Sequence, residues 1–183
     1  MPILAEDSVT VIPSGTWSVD PSHSTVEFEI RHLGLATVKG RAPVVSGTIE
    51  GGEQPSILGI VDVARITTFD DTRDEHLRSP DFFDAARNPE LSFESASLRL
   101  DGDELVADGT LTIKGVSNPV TLRGALAGAE TDPWGNERIG LDLSATIDRR
   151  QWGLTWNAPL PGGGFLLPDT VKLAASFSAV KAS

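Results

Sequence analysis

The sequence predicts an all-β protein, an antiparallel barrel or sandwich of about eight strands with one short helical insert. Three observations carry the prediction. Apolar residues recur at every second position over most of the chain. Tight-turn signals such as Asp101-Gly102-Asp103 and Lys114-Gly115 separate the alternating runs. One stretch, Arg73 to Pro89, breaks the alternation with a helical composition.

Residues 1–15 carry Pro2, Pro13 and Gly15 and little periodicity, and read as a flexible lead-in to a single domain over residues 16–183. Val26, Phe28 and Ile30 then face one way and Glu27, Glu29 and Arg31 the other, the pattern of a half-buried strand. His32 is the next inward position. Thr37–Glu50 and Ile57–Phe69 are further extended stretches, with Gly51-Gly52 as the turn between them. In Leu91–Leu100 the apolar parity changes near Ser95, which predicts a bulge. Asp101-Gly102-Asp103 is a hairpin signal. Leu105, Ala107, Gly109, Leu111 and Ile113 form the next inward set, followed by Val120, Leu122, Gly124 and Leu126. Asp132 to Asn136 is a loop by composition. Ile139, Leu141, Leu143, Ala145 and Ile147 share one face, as do Val171, Leu173, Ala175 and Phe177.

Several inward residues are small: Ala107, Gly109, Gly124, Ala145 and Ala175. A packed sandwich core needs larger side chains there. Small ones leave room, and about eight strands is the size at which a barrel holds one small ligand. In the insert, Ser79-Pro80 reads as N-cap and first helical residue, Asp81 suits the positive helix end, and Asn88-Pro89 is the stop. Asp74–Arg78 adds a further helical turn. A surface helix does not need the adjacent Phe82 and Phe83. A helix that lids an apolar cavity does.

The composition narrows the function classes. The 183 residues include 26 Asp plus Glu against 15 Lys plus Arg, a net charge of −11. That balance argues against nucleic acid and against docking on anionic membranes. With no cysteine, the chain has no disulfide, thiolate metal site or thiol nucleophile. The N-terminus lacks the basic and apolar regions of a secretory signal, which predicts a cytoplasmic protein. A periplasmic or secreted chain whose signal has been removed reads the same way. No run approaches the roughly 18 apolar residues that span a bilayer.

Three motif segments give a wider frame. Trp17-Ser18-Val19-Asp20-Pro21-Ser22-His23-Ser24 runs into Val26, Phe28, His32-Leu33-Gly34 and Gly40. Thr68, Arg73-Asp74-Glu75-His76-Leu77, Ser79, Asp81-Phe82-Phe83-Asp84 and Pro89 lead to Phe93. Gly109 to Val116 is the third, and Ile147-Asp148-Arg149 with Trp152-Gly153 a weaker fourth. In this order and spacing the chain resembles the YceI-like family, also called polyisoprenoid-binding proteins, over roughly residues 16–180. The resemblance implies an eight-stranded antiparallel lipocalin-like barrel with a helical insert. It also implies an amphiphile inside the barrel, tail inward and polar head near one end, and no established catalysis. Trp17 stands where the family usually has Tyr. No Phe occurs between Gly40 and Gly47, which widens the cavity if those positions face inward.

Phe28 and Ile30 are inward on their strand, and Leu77, Phe82, Phe83 and Phe93 line either the cavity or ordinary core. His32 either hydrogen-bonds a head group or ends its strand as a satisfied core histidine. Arg149 continues the inward parity of Ile147. It either binds phosphate, carboxylate or a quinone oxygen, or pairs with an acid such as Asp74. Trp152, in the same motif, is a further candidate contact. Arg73, Asp74 and His76 read more readily as a polar latch for the insert than as a catalytic group, because no nucleophile accompanies them. Pro159 to Pro168 is a glycine-hinged apolar loop, either a lid with Phe165, Leu166 and Leu167 on the lipid or a loop packed back on the barrel. His23, His32 and His76 lack metal-ligand spacing. The prediction is a non-enzymatic, cofactor-free binder or carrier of an isoprenoid, quinone or fatty-acid-like lipid, with a homodimer left open. The rivals are an enzyme using His76 or His32 as acid/base and a fully packed stress-response protein.

Overall fold

In the computed structural model, which describes residues 11–183, the alternating stretches become nine strands, all antiparallel to their neighbours. They are β1 (Thr16–Val19), β2 (Thr25–His32), β3 (Ala36–Glu50), β4 (Ser56–Asp62), β5 (Glu90–Asp101), β6 (Glu104–Ile113), β7 (Val116–Thr131), β8 (Glu137–Asp148) and β9 (Thr170–Lys181). The hydrogen-bonded order runs β3-β2-β9-β8-β7-β6-β5-β4 and closes through a β3–β4 pairing. β1 pairs with both β3 and β9, as β2 does. Together β1 and β2 therefore fill one position, interrupted where Asp20 caps a 3-10 turn at Pro21–His23 through the Ser22 N–H. The result is an eight-stranded closed barrel, a form with no free sheet edge.

The turn chemistry explains the register. Lys114 and Gly115 both have positive φ, 52° and 74°, and join Ile113 directly to its partner Val116. This is the two-residue hairpin in which both central residues are left-handed. The predicted bulge appears between Ser95 and Ser97, where β5 slips against β6.

The helix differs from its predicted position. α1 spans Asp71–Arg78, and Asp70 caps it by accepting from the Arg73 N–H at 2.9 Å. Ser79, expected to start the helix, instead ends it. Its backbone is extended at φ −73°, ψ 167°, the conformation imposed on a residue before proline. Its hydroxyl donates to the His76 carbonyl at 2.6 Å. Phe82 and Phe83 therefore ride on the turns that follow α1. Among the described residues no helix is long and apolar enough to cross a membrane.

Residues 1–10 of the expected lead-in lie outside the described residues. Residues 11–15 fold against the barrel: Ile12 is 0 % exposed, and Pro13 accepts a hydrogen bond from the Trp17 indole at 2.9 Å. Ile12, Trp17, Ile49, Leu105, Leu141 and Ala179 are all buried to 1 % exposure or less and belong to one apolar cluster. Full burial of a Leu or Ile contributes about 1.5–3 kcal/mol, so this cluster is a major source of stability.

Candidate functional site

Along the barrel from this cluster, the inward side chains enclose a cavity of about 220 Å³. β2 contributes Val26, Phe28, Ile30 and His32 to its wall, and β9 adds Val171 and Leu173. The α1 region contributes Arg73, His76, Leu77, Phe82 and Phe83. Ile147, Arg149, Leu154, Trp156, Leu166 and Leu167 come from the end of β8 and the loop after it. The wall is almost wholly apolar, as ligand cavities are.

None of the five small inward residues borders this space. A Cβ on Gly109 would collide with the Glu94 carbonyl and the Phe93 ring, so that room is already filled. At Gly124 the Asp142 backbone leaves none. On β3, Ala42 does line the cavity, but the room at Gly40 is taken by the Phe28 ring.

The insert is held by a buried polar knot. Asp74 Oδ1 accepts from the Thr68 backbone N–H at 2.7 Å and from the Thr68 hydroxyl at 2.6 Å. Arg73 donates from Nε to Thr68 Oγ1 at 2.7 Å and from Nη2 to the Thr68 carbonyl at 3.0 Å. Thr68 and Asp74 are both buried. Among the described residues no fully buried side-chain nitrogen or oxygen lacks a partner, which is the condition for burying such a knot. This is the latch geometry. His76 takes no part in it: its Nε2 lies 2.9 Å from Asp81 Oδ2. Its ring packs edge-on against Trp156, with centroids 4.7 Å apart, and against Phe82 at 5.0 Å. His76 therefore joins the insert to the 154–168 segment across the cavity wall.

Arg149 does not pair with Asp74, whose oxygen is engaged by Thr68. Its guanidinium holds the loop after β8 through three carbonyls. Nε donates to Pro168 O at 2.9 Å, and Nη1 to Leu154 O at 2.6 Å and Trp156 O at 2.9 Å. The residue is 3 % exposed, and this burial pushes its pKa below the usual arginine value. The same loop is pinned by Asn157, whose Oδ1 accepts from the Ala158 and Leu167 N–H groups. It also meets the β2–β3 turn, where the Leu33 N–H donates to Leu166 O at 3.0 Å.

Phe28, Ile30, His32, Leu77, Phe82, Phe83 and Arg149 thus meet on one cavity. Phe93, Trp152 and Phe165 do not. Phe93 lies in the packed core over Gly109. Trp152 is 1 % exposed and donates its indole N–H to Leu111 O at 2.9 Å. Phe165 is 65 % exposed and points out of the loop, whereas its neighbours Leu166 and Leu167 line the cavity. Leu154 and Trp156 were missed because they sit in irregular chain between Gly153 and Pro159, where no period marks a face.

The YceI-like domain model matches residues 17–179. Protein YceI of Escherichia coli O157:H7 is 39% identical over 136 residues, covering 72% of this chain and 71% of that protein. A UPF0312 protein of Pseudomonas aeruginosa is 38% identical over the same length, with the same coverage. Among solved structures, Burkholderia cenocepacia BcnA superposes with a TM-score of 0.71 at 20% identity, covering 87% of this chain and 98% of that one. A polyisoprenoid-binding domain from Saccharophagus degradans gives 0.65 at 15% identity, covering 91% and 98%. At those identities the two structures speak for the fold. The domain match and the curated relatives go further: this chain, with its closed barrel and latched insert, belongs to the YceI-like family.

Proposed function

We propose that the barrel binds and sequesters, or carries, a long apolar amphiphile of isoprenoid, quinone or fatty-acid type, its chain in the hollow half. The observation that supports this best is the asymmetry of the interior. One end is sealed by packed side chains, and the other keeps an apolar space whose few polar groups gather with the insert and the 154–168 segment. Each buried CH₂ contributes about 0.8 kcal/mol, so a chain gains affinity without many polar contacts. A dry cavity of about 150 Å³ already admits benzene. The 220 Å³ here therefore receives the leading part of a chain. A longer tail requires side chains such as Phe28 and Phe83, or the Gly162–Gly164 stretch, to yield. The Saccharophagus degradans neighbour, described as polyisoprenoid-binding, is consistent with such a ligand.

Binding is favoured over turnover because the His76 ring has Asp81 as its only hydrogen-bond partner among the described residues, with no nucleophile beside it. Organic extraction of the purified protein followed by mass spectrometry should yield a co-purified lipid. An empty protein that also takes up neither isoprenoid alcohols nor fatty acids would refute the proposal. Consumption of a prenyl phosphate, lost in His76→Ala while binding persists, would favour an enzyme instead.

A further inference from the structure

We infer that the cavity selects amphiphiles whose head group carries an anionic oxygen, a carboxylate or a phosphate, over neutral alcohols, esters and quinones with the same chain. This rests on reading the cavity as an amphiphile site and goes on to name the head group.

The charge on the cavity wall carries the argument. Its titratable residues are Glu27, His32, Arg73, His76 and Arg149. Glu27 has the outward parity of β2, and its carboxylate lies 3.9 Å from Arg41. Arg73 is exposed and donates to Thr68, and His76 is paired with Asp81, so the side chains left to face a ligand are His32 and Arg149. The chain carries 26 acidic residues against 15 basic ones, so composition alone would put carboxylates on such a wall.

Arg149 is the stronger of the two. No carboxylate of the described residues comes within 4 Å of it, whereas Arg138, Arg150 and Arg123 each have two. Carbonyl dipoles solvate its charge, and the Asp169 and Asp148 carboxylates favour it only from beyond 4 Å. Buried cations are ordinarily paired, because an uncompensated one is costly. Its Nε and Nη1 have acceptors, and its Nη2 makes no hydrogen bond to the described residues. No fully enclosed side-chain nitrogen among the described residues lacks a partner, so Nη2 borders open space. Arg149 is only 3 % exposed and is one of the residues that line the cavity.

The barrel brings His32 to the same end. Ile147 is opposite Val171 on β9, and Phe28 is opposite Leu173. Arg149 lies one inward step beyond Ile147, and His32 two beyond Phe28. Loop residues 166–168 touch both ends, through Leu33 to Leu166 and Arg149 to Pro168. A head group there meets a fixed cation, an imidazole and the spare N–H groups of Nη2, the donors that suit carboxylate and phosphate oxygens.

The sign of the selectivity is diagnostic. In a purely apolar cavity a carboxylate binds more weakly than the matching alcohol, because stripping its water is uncompensated. A cation inside reverses the order. The test titrates the wild-type protein with farnesoic acid, its methyl ester and farnesol at neutral pH, read by tryptophan fluorescence, since Trp156 is on the wall. The acid is expected to bind about tenfold or more tightly than the ester or the alcohol. Equal affinities, or tighter binding of the neutral ligands, would overturn the inference while leaving the amphiphile reading intact. Binding of none of the three, nor of matched fatty acids and alcohols, would overturn both. In Arg149→Met the acid should lose more affinity than the ester. A folded variant with the full preference would overturn the role of Arg149. If loss of the carbonyl contacts unfolds the variant, the wild-type head-group series decides alone.

Discussion

The two ends of the barrel are built from the same strands and the same alternation, yet one is solid and the other hollow. At the solid end Trp17, Ile49, Leu105 and Leu141 converge, and Ile12 reaches in from outside the sheet. At the hollow end Phe28, Leu77, Phe83 and Leu173 are as large, but they stand around a space. Side-chain size therefore does not decide where a barrel is empty. What decides is whether a neighbouring side chain crosses the axis. Phe93 consumes the room that Gly109 leaves, so the small residues mark close packing and the cavity opens among large ones. The ends also differ in charge. Arg138, beside the solid end, binds Asp20 at 3.0 Å and Asp132 at 2.9 Å, whereas buried Arg149 hydrogen-bonds only to carbonyls among the described residues.

Paired truncations should give the largest effect. Leu105→Ala removes a fully buried side chain from close packing and is expected to cost about 2–5 kcal/mol. Leu173→Ala enlarges an existing space and should cost roughly half as much or less. Urea unfolding of both variants measures the difference, and equal costs would mean that the two ends are packed alike.

A second pair adds atoms instead. Gly109→Ala drives a methyl against the Glu94 carbonyl, a backbone atom fixed in the sheet, and should cost about 1–3 kcal/mol. Gly40→Ala meets the Thr68 methyl at 2.9 Å and, more closely, the Phe28 ring, which has the cavity to move into. Its stability should fall less than that of Gly109→Ala, while its lipid uptake falls more. Thermal midpoints and a lipid-uptake titration on both variants check this, and the reverse ranking would contradict it.

The smallest effect concerns pH. Hydrogen bonds from the Arg138 guanidinium, then from Asn136, hold the Asp132 carboxyl down to about 2. Asp20 is held well below the usual carboxylate range, first by the Ser22 hydroxyl and then by His23 and Arg138. Both folded values lie under the unfolded one of about 3.9. Their contribution is therefore complete above about pH 4 and drains away as the pH falls toward about 2. The difference in melting temperature between the wild type and Arg138→Met should shrink over that interval. A difference that stays constant would place Arg138's role in packing.

Much of this was legible in the residues because strand alternation, hairpin turns and bulges are local. The parity change at Ser95 and the Lys114-Gly115 turn locate β5 to β7 closely. The helix was misplaced by one segment because two capping signals compete: Asp70 and Ser79-Pro80 both suit an N-terminus. The chain uses the first, where the Asp74–Thr68 knot also forms. His32 and Arg149 were identified as inward by parity alone. Their partners were not, since hydrogen bonds from Arg149 to Leu154, Trp156 and Pro168 depend on how a loop closes.

By itself, the sequence determined about eight antiparallel strands, a helical insert and the inward face of most strands, because period-two patterning and turn chemistry act between near neighbours; the closed barrel was implied by the family resemblance. Only the tertiary structure decided which end stays empty, and that the buried Arg149 on its wall binds three carbonyls with no carboxylate of the described residues within 4 Å. Both depend on side chains meeting across the barrel axis, at distances in sequence that no local pattern records.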